Sequence, residues 1–190
     1  MAEPIRYGLL YGTGRELVDA VDAVLTAAGF ATEDLDKTLG GTRSADLLAV
    51  RAACRLLVEV KSAAGNSSES LVGDLQRHLS TWPELRPDEP ADGVLIVNQQ
   101  HRMPPQERST QVYQRREFVA SLNFSVISTR ALFDWWRASD WAAIRSALLG
   151  EAALGALDDL DLRRPQELRG VHATKLLGAA QVEEIGRAHV

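Results

Sequence analysis

The chain has a single cysteine, Cys54, among its 190 residues. That excludes a disulfide framework and any Cys-based zinc cluster, and it suits a reducing cytosol, so a cytoplasmic location is expected. Histidine is scarce too. His78, His101, His172 and His189 have no histidine partner at helical spacing, so a His-based metal site is not expected. No apolar run reaches the roughly 18 residues of a membrane span. The N-terminus lacks a charged segment followed by an apolar one, so a soluble, unexported protein without a membrane partner is expected. There is no nucleophile elbow, P-loop or GxGxxG, which weighs against the common enzymes built on them. Nothing repeats at a fixed period, which excludes a solenoid.

What remains is a globular composition, 45% apolar, enough to bury one full core. The net charge of −5 does not favour nucleic acid, whose affinity is dominated by phosphate neutralisation. Charge is uneven, however. Arg102, Arg108, Arg115 and Arg116 crowd the stretch from Asn98 to Glu117, opposed there only by Glu107 and Glu117, whereas 151–161 is purely acidic. A local basic lip can hold a phosphate backbone although the whole molecule is acidic.

Periodicity gives the elements. Thr13-Gly-Arg-Glu16 matches a capping box and opens a helix with Leu17, Val18, Val21, Val24, Leu25 and Ala28 on one face, stopped by Gly29. A short strand begins at 30–32, and 34–43 reads as a loop. Strands follow at 45–50 and 55–61. A helix over about 68–81 ends before Pro83. Gly93–Asn98 is a buried strand by its continuous apolar run. A polar excursion covers 99–112, then come a helix at 114–121 and a strand at 124–128. Thr129 caps a last helix whose Phe133, Trp135, Trp136 and Trp141 form an apolar anchor. The order implies a mixed α/β sheet with helices on both faces.

The stretch ADLLAVRAACRLLVEVK, Ala45 to Lys61, carries the functional signal. If its two apolar runs form a hairpin symmetric about Ala52 and Ala53, Asp46 lies opposite Glu59, and Lys61 shares their face. Like charges directly opposed on neighbouring strands are destabilising. A hard cation between them would convert the repulsion into ligation, because Mg²⁺ takes carboxylate oxygens and water.

An acid, a gap, then Glu59-Val60-Lys61 closing an apolar strand resembles the PD-(D/E)XK nuclease superfamily, in its resolvase and Mrr-like branch. The likeness covers about residues 10–135, with Ala45 standing where the name-giving pattern has proline. It implies a restriction-endonuclease-like mixed central sheet flanked by helices, with an α-β-β-β-α-β core over 1–149. It further implies a Mg²⁺-dependent endonuclease hydrolysing DNA phosphodiesters in defence or repair, with Mn²⁺ able to substitute. Asp46, Glu59 and the Val60 carbonyl would hold the metal, completed by Glu16. Lys61 would orient the attacking water, and Gln76 would hold water or phosphate. Arg43, His101, Arg102 and Arg108 are the candidates for nucleic-acid contacts, with RNA open beside DNA. A homodimer is compatible with this.

Ordinary readings stand beside these. Glu16 can serve only the capping box, Gln76 can be solvated, Lys61 can pair with Glu59, and Asp46 can simply start a strand. The loop residues can be solvated as well. A second class of function is a catalytically silent nuclease-fold module for nucleic-acid binding or protein interaction; a third is an unrelated α/β enzyme using the carboxylates in acid–base work. Residues 150–183 read as a linker or the start of a further unit. The tail 184–190, EIGRAHV, resembles the read-through translation of a sequencing-library adapter, so the natural chain is expected to continue into further domains.

Overall fold

The computed structural model describes residues 2–40 and 44–150. Arg43, all of 150–183 except Gly150, and the tail 184–190 therefore lie outside the described residues. The elements described below belong to the unit Met1–Leu149.

Five strands form one mixed sheet in sequential order: β1 (Ala31–Asp34), β2 (Leu47–Arg51), β3 (Cys54–Ala63), β4 (Asp92–Gln99) and β5 (Ser125–Ser128). The first three are antiparallel neighbours; β3, β4 and β5 run parallel. The strand–strand pairing expected from symmetry about Ala52 and Ala53 is the one adopted. Leu47 faces Val58, Ala49 faces Leu56, and Arg51 faces Cys54.

Apolar residues on alternate positions divide the core into two layers, as a period of two requires. Val58 and Val60 of β3 point into one layer with Leu47, Ile96 and Ile127. Against them pack α1 (Ala2–Tyr11), α2 (Gly14–Ala27), α5 (Thr129–Arg137) and α6 (Trp141–Leu149). Leu57 points the other way with Leu48, Leu95 and Val97, where α3 (Val72–Leu85) supplies Val72, Leu75 and Trp82. The short α4 (Arg116–Ala120) adds Phe118 to that layer. Among the described residues, no helix is long and apolar enough to cross a membrane.

Several local expectations are corrected. The sequence pattern gave no helix over 2–11, yet α1 forms there and crosses α2 closely. A Cβ on Gly8 would come within 2.5 Å of the Ala20 Cβ, so only glycine permits the approach. Thr13 is the N-cap of α2 but makes no side-chain cap hydrogen bond, so the capping box is not formed. Pro83 does not end α3; it lies within the last turn, because Trp82 is buried and its indole N–H donates to the Glu89 carbonyl at 2.6 Å. Ser68 caps a 3₁₀ turn (Glu69–Leu71) that leads into α3. Ser128, not Thr129, caps α5, accepting from the Ala131 N–H. The aromatic helix is two helices, broken where Ser139 adopts φ 55° and Asp140 accepts from the Ala143 N–H.

Ala52, in the two-residue hairpin turn, has φ 51°, a left-handed conformation that costs an L-residue about 1–2 kcal/mol. Replacement by glycine removes that strain and adds back about 0.4–1 kcal/mol of unfolded-state entropy. Ala52→Gly should therefore raise the thermal midpoint by about 1–4 °C. A calorimetric scan showing no change or a decrease would refute the strain at this turn.

Candidate active site

β3 has ten residues and β2 only five, so β3 continues after its antiparallel partner has ended. Past Val58, the edge of β3 that faced β2 has no strand partner among the described residues. In an antiparallel ladder the N–H and C=O of one residue point to the same neighbour, and Val58, paired with Leu47, alternates with Val60 in phase. Both backbone groups of Val60 are thus directed toward the vacated edge. Asp46, one residue before β2, fills the gap: its Oδ2 accepts the Val60 N–H at 2.7 Å. By the same phase the Val60 carbonyl is directed to that edge. Extending the observed strand pairing by one position sets Asp46 across from Glu59.

Glu59 and Lys61 project from β3 on the α3 side, and there they enter a closed ring of five side chains. Lys61 Nζ lies 2.7 Å from Glu59 Oε1 and 2.9 Å from Asp74 Oδ2. Arg77 Nη2 lies 3.0 Å from Asp74 Oδ1 and 3.2 Å from His78 Nε2. His78 Nδ1 returns to Glu59 Oε2 at 3.1 Å. Two periodicities mesh to make the ring. A two-residue step on a strand keeps Glu59 and Lys61 on one face, and steps of three and four on a helix do the same for Asp74, Arg77 and His78. Glu59 and His78 are buried, at 3% and 5% exposure, so each depends on these partners for its hydrogen bonds.

The electrostatics single out Asp46. Burial, and then the nearby charge of Glu59, push its pKa up to about 6, against the opposing pull of the Val60 N–H and Lys61. Burial works against the charge on Lys61, but the hydrogen bonds it donates to Glu59 and Asp74 outweigh it and raise its pKa. Asp74 is held below the usual carboxylate range, foremost by its hydrogen bond from Lys61.

Among the described residues, no group of three or more His, Cys, Asp or Glu side chains is placed to hold a metal ion. The site offers two carboxylates and a backbone carbonyl. That hard, all-oxygen set is too small for a zinc or calcium cage, but it fits Mg²⁺, which keeps several waters and takes substrate phosphates through one or two carboxylates. Each Glu59 oxygen accepts one hydrogen bond in the ring and keeps a further lone pair.

The other residues nominated from the sequence are placed as follows. Glu16 is exposed on α2, in the layer opposite α3, and among the described residues its carboxylate forms no hydrogen bond or ion pair. Gln76 is exposed as well: the buried stripe of α3 runs through Val72, Leu75, His78 and Trp82, which turns Gln76 outward. His78, not Gln76, is the α3 residue that reaches Glu59. Its signal was legible as position three of that apolar stripe, four residues after Asp74. Arg102 is exposed. The pKa of His101 is lowered by burial and by the charges of Arg102 and Arg108. Arg108 is 4% exposed and bonds the Met103 and His101 carbonyls and Asn98 Oδ1. It pins the 99–112 excursion to the sheet and is not available to a phosphate.

Comparison with known proteins finds no family model that matches the chain and no curated protein that matches it.

The raised pKa fixes a sign. A carboxyl whose folded pKa of about 6 exceeds its ordinary 3.8 contributes stability present below pH 4 and lost as pH rises through 6. At neutral pH the ionised Asp46 opposes folding by on the order of 2–3 kcal/mol. Asp46→Asn keeps an acceptor for the Val60 N–H, which alanine would orphan. It should raise the melting temperature by several degrees at about pH 7.5 and by little at about pH 4. Equal shifts at both pH values, or a loss at neutral pH, would contradict the assigned repulsion.

Proposed function

We propose that this chain is a Mg²⁺-dependent nuclease domain that hydrolyses DNA phosphodiester bonds, built on the restriction-endonuclease-like variant of its mixed sheet. The observation that carries this reading is the convergence of Asp46, the Val60 backbone and Glu59 at one open strand edge, with Lys61 bonded to Glu59. Sheet order and direction support it: a hairpin leads into a central strand, and the carboxylates lie where the hairpin's shorter arm stops.

A Mg²⁺ ion bound by Asp46, Glu59 and the Val60 carbonyl would acidify a water and offset negative charge on the phosphate. The chain's own groups do the rest. Burial and then the Glu59 charge push the Asp46 pKa up to about 6, so a cation beside the pair is favoured once both carboxyls ionise. The Lys61 ammonium, half-buried and bonded to Glu59 and Asp74, keeps a third donor that can reach a phosphate oxygen and stabilise the charge that grows there. Arg77, exposed on α3, offers a positive charge beside the same cleft. Electrostatic attraction at this lip needs no basic molecule overall.

With only two carboxylates, metal binding should be weak in the free protein and strengthen when phosphate oxygens complete the shell. The test is nicking of supercoiled plasmid by the full chain in Mg²⁺, Mn²⁺ or EDTA, beside Asp46→Asn and Lys61→Met. Metal-dependent nicking that falls about 100-fold or more in both variants is the expected outcome. Cleavage that persists in EDTA, or in both variants, would rule this site out. DNA retention in a gel shift without any cleavage would favour a catalytically silent binding module instead.

A further inference from the structure

The ring around Glu59 fixes more than a set of contacts; it fixes a proton. A guanidinium has donors and no acceptor, so Arg77 Nη2, 3.2 Å from His78 Nε2, must meet a lone pair there. With Nε2 bare, the proton of the neutral imidazole sits on Nδ1, which donates to Glu59 Oε2 at 3.1 Å. Neither ring nitrogen is then free to ligate a metal or to accept a proton from water.

We propose that His78, held by Arg77 at Nε2 and by the Glu59 carboxylate at Nδ1 in the tautomer with its proton on Nδ1, is a positioning residue for Glu59. It sets the rotation of the carboxylate, so that the lone pairs used neither by His78 nor by Lys61 face Asp46 and the Val60 carbonyl. The use made of that orientation rests on the nuclease reading; the tautomer itself does not.

The physical need is plain. The terminal torsion of a glutamate is broad and roughly two-fold, so burial alone leaves the carboxylate plane free to turn. Donors arriving at both oxygens, Lys61 at Oε1 and His78 at Oε2, remove that freedom. They come from different elements, β3 and α3, so the orientation is referred to the rigid packing between sheet and helix. Outer hydrogen bonds of this kind cost about 10–100-fold in metal affinity when removed. A histidine that merely filled the core would be replaced without loss by leucine. The two accounts therefore separate.

The first readout needs no activity. Long-range ¹H–¹⁵N correlation of the imidazole in the full chain at about pH 7.5 should show the Nδ1–H form of His78 in the wild type. Because the Glu59 carboxylate also demands a donor at Nδ1, the effect of Arg77 is isolated with an amide at position 59: Glu59→Gln should keep the Nδ1–H form, and Glu59→Gln with Arg77→Met should give a mixture of tautomers. An Nε2–H or cationic His78 in the wild type, or the same tautomer in the single and the double variant, overturns the proposal.

The second readout is Mn²⁺ affinity, by electron paramagnetic resonance, in the presence of a phosphorothioate duplex that resists cleavage. His78→Asn sets an amide N–H where Nδ1–H was and should stay within about 3-fold of the wild type, whereas His78→Leu should lose about 10–100-fold. Should His78→Leu fail to fold, His78→Gln takes its place, because its amide falls where Nε2 lies. Equal affinity across the series overturns the proposal. A wild type that shows the Nδ1–H form but binds no Mn²⁺ overturns the nuclease reading, and the metal-positioning role with it. The wrong tautomer in a Mn²⁺-binding wild type defeats the positioning role alone.

Discussion

The site exists because one strand outruns its neighbour. Where β2 stops, β3 keeps presenting backbone groups to a partner that is no longer there, and a buried N–H without an acceptor is costly. The Asp46 carboxylate supplies the acceptor at Val60. That single hydrogen bond closes a gap in the sheet, holds a carboxylate where burial and Glu59 make its charge unwelcome, and leaves a carbonyl alongside. Remove the mismatch in strand length and none of the three follows.

Around this edge the formal charges alternate. Glu59, Lys61, Asp74 and Arg77 compensate one another within the ring, and His78 closes it. Asp46 stands outside the ring, and burial first, then the Glu59 charge, push its pKa up to about 6. The cluster separates a self-sufficient scaffold from a single carboxyl that stays uncomfortable until a cation or a proton arrives. Burying ion pairs is a poor route to stability, so an arrangement this closed is better read as fixing geometry.

Strand periodicity carried most of what could be read beforehand. Alternation in the two apolar runs of 47–60 sets the face of Asp46, Glu59 and Lys61, and the two-alanine centre sets the strand pairing. Helical positions were less transparent. Gln76 looked suitable by residue type, but the stripe through Leu75, His78 and Trp82 decides which α3 side chain reaches the sheet. Polar type misled again at Arg108, whose burial against backbone carbonyls depends on how the 99–112 excursion folds, a non-local matter. Helix α1 carries no strong start signal and gains its place by packing on α2 through Gly8, a contact invisible to any local pattern. The capping-box motif at Thr13 shows the converse, since it marks the helix start without forming its bonds.

The two-residue turn at Ala52 and Ala53 has a consequence for how this chain can vary over evolutionary time. Side chains on a strand alternate between faces, so the separation between Asp46 and Glu59 along the chain is constrained in parity as well as in length. An insertion of two residues at the hairpin tip lengthens both arms and leaves the carboxylates facing each other. A single inserted residue, unless a bulge or a looser turn absorbs it, rotates one carboxylate into the apolar layer behind the sheet. Length changes at an exposed, solvent-facing turn, ordinarily the most permissive place in a protein, are here filtered by odd and even.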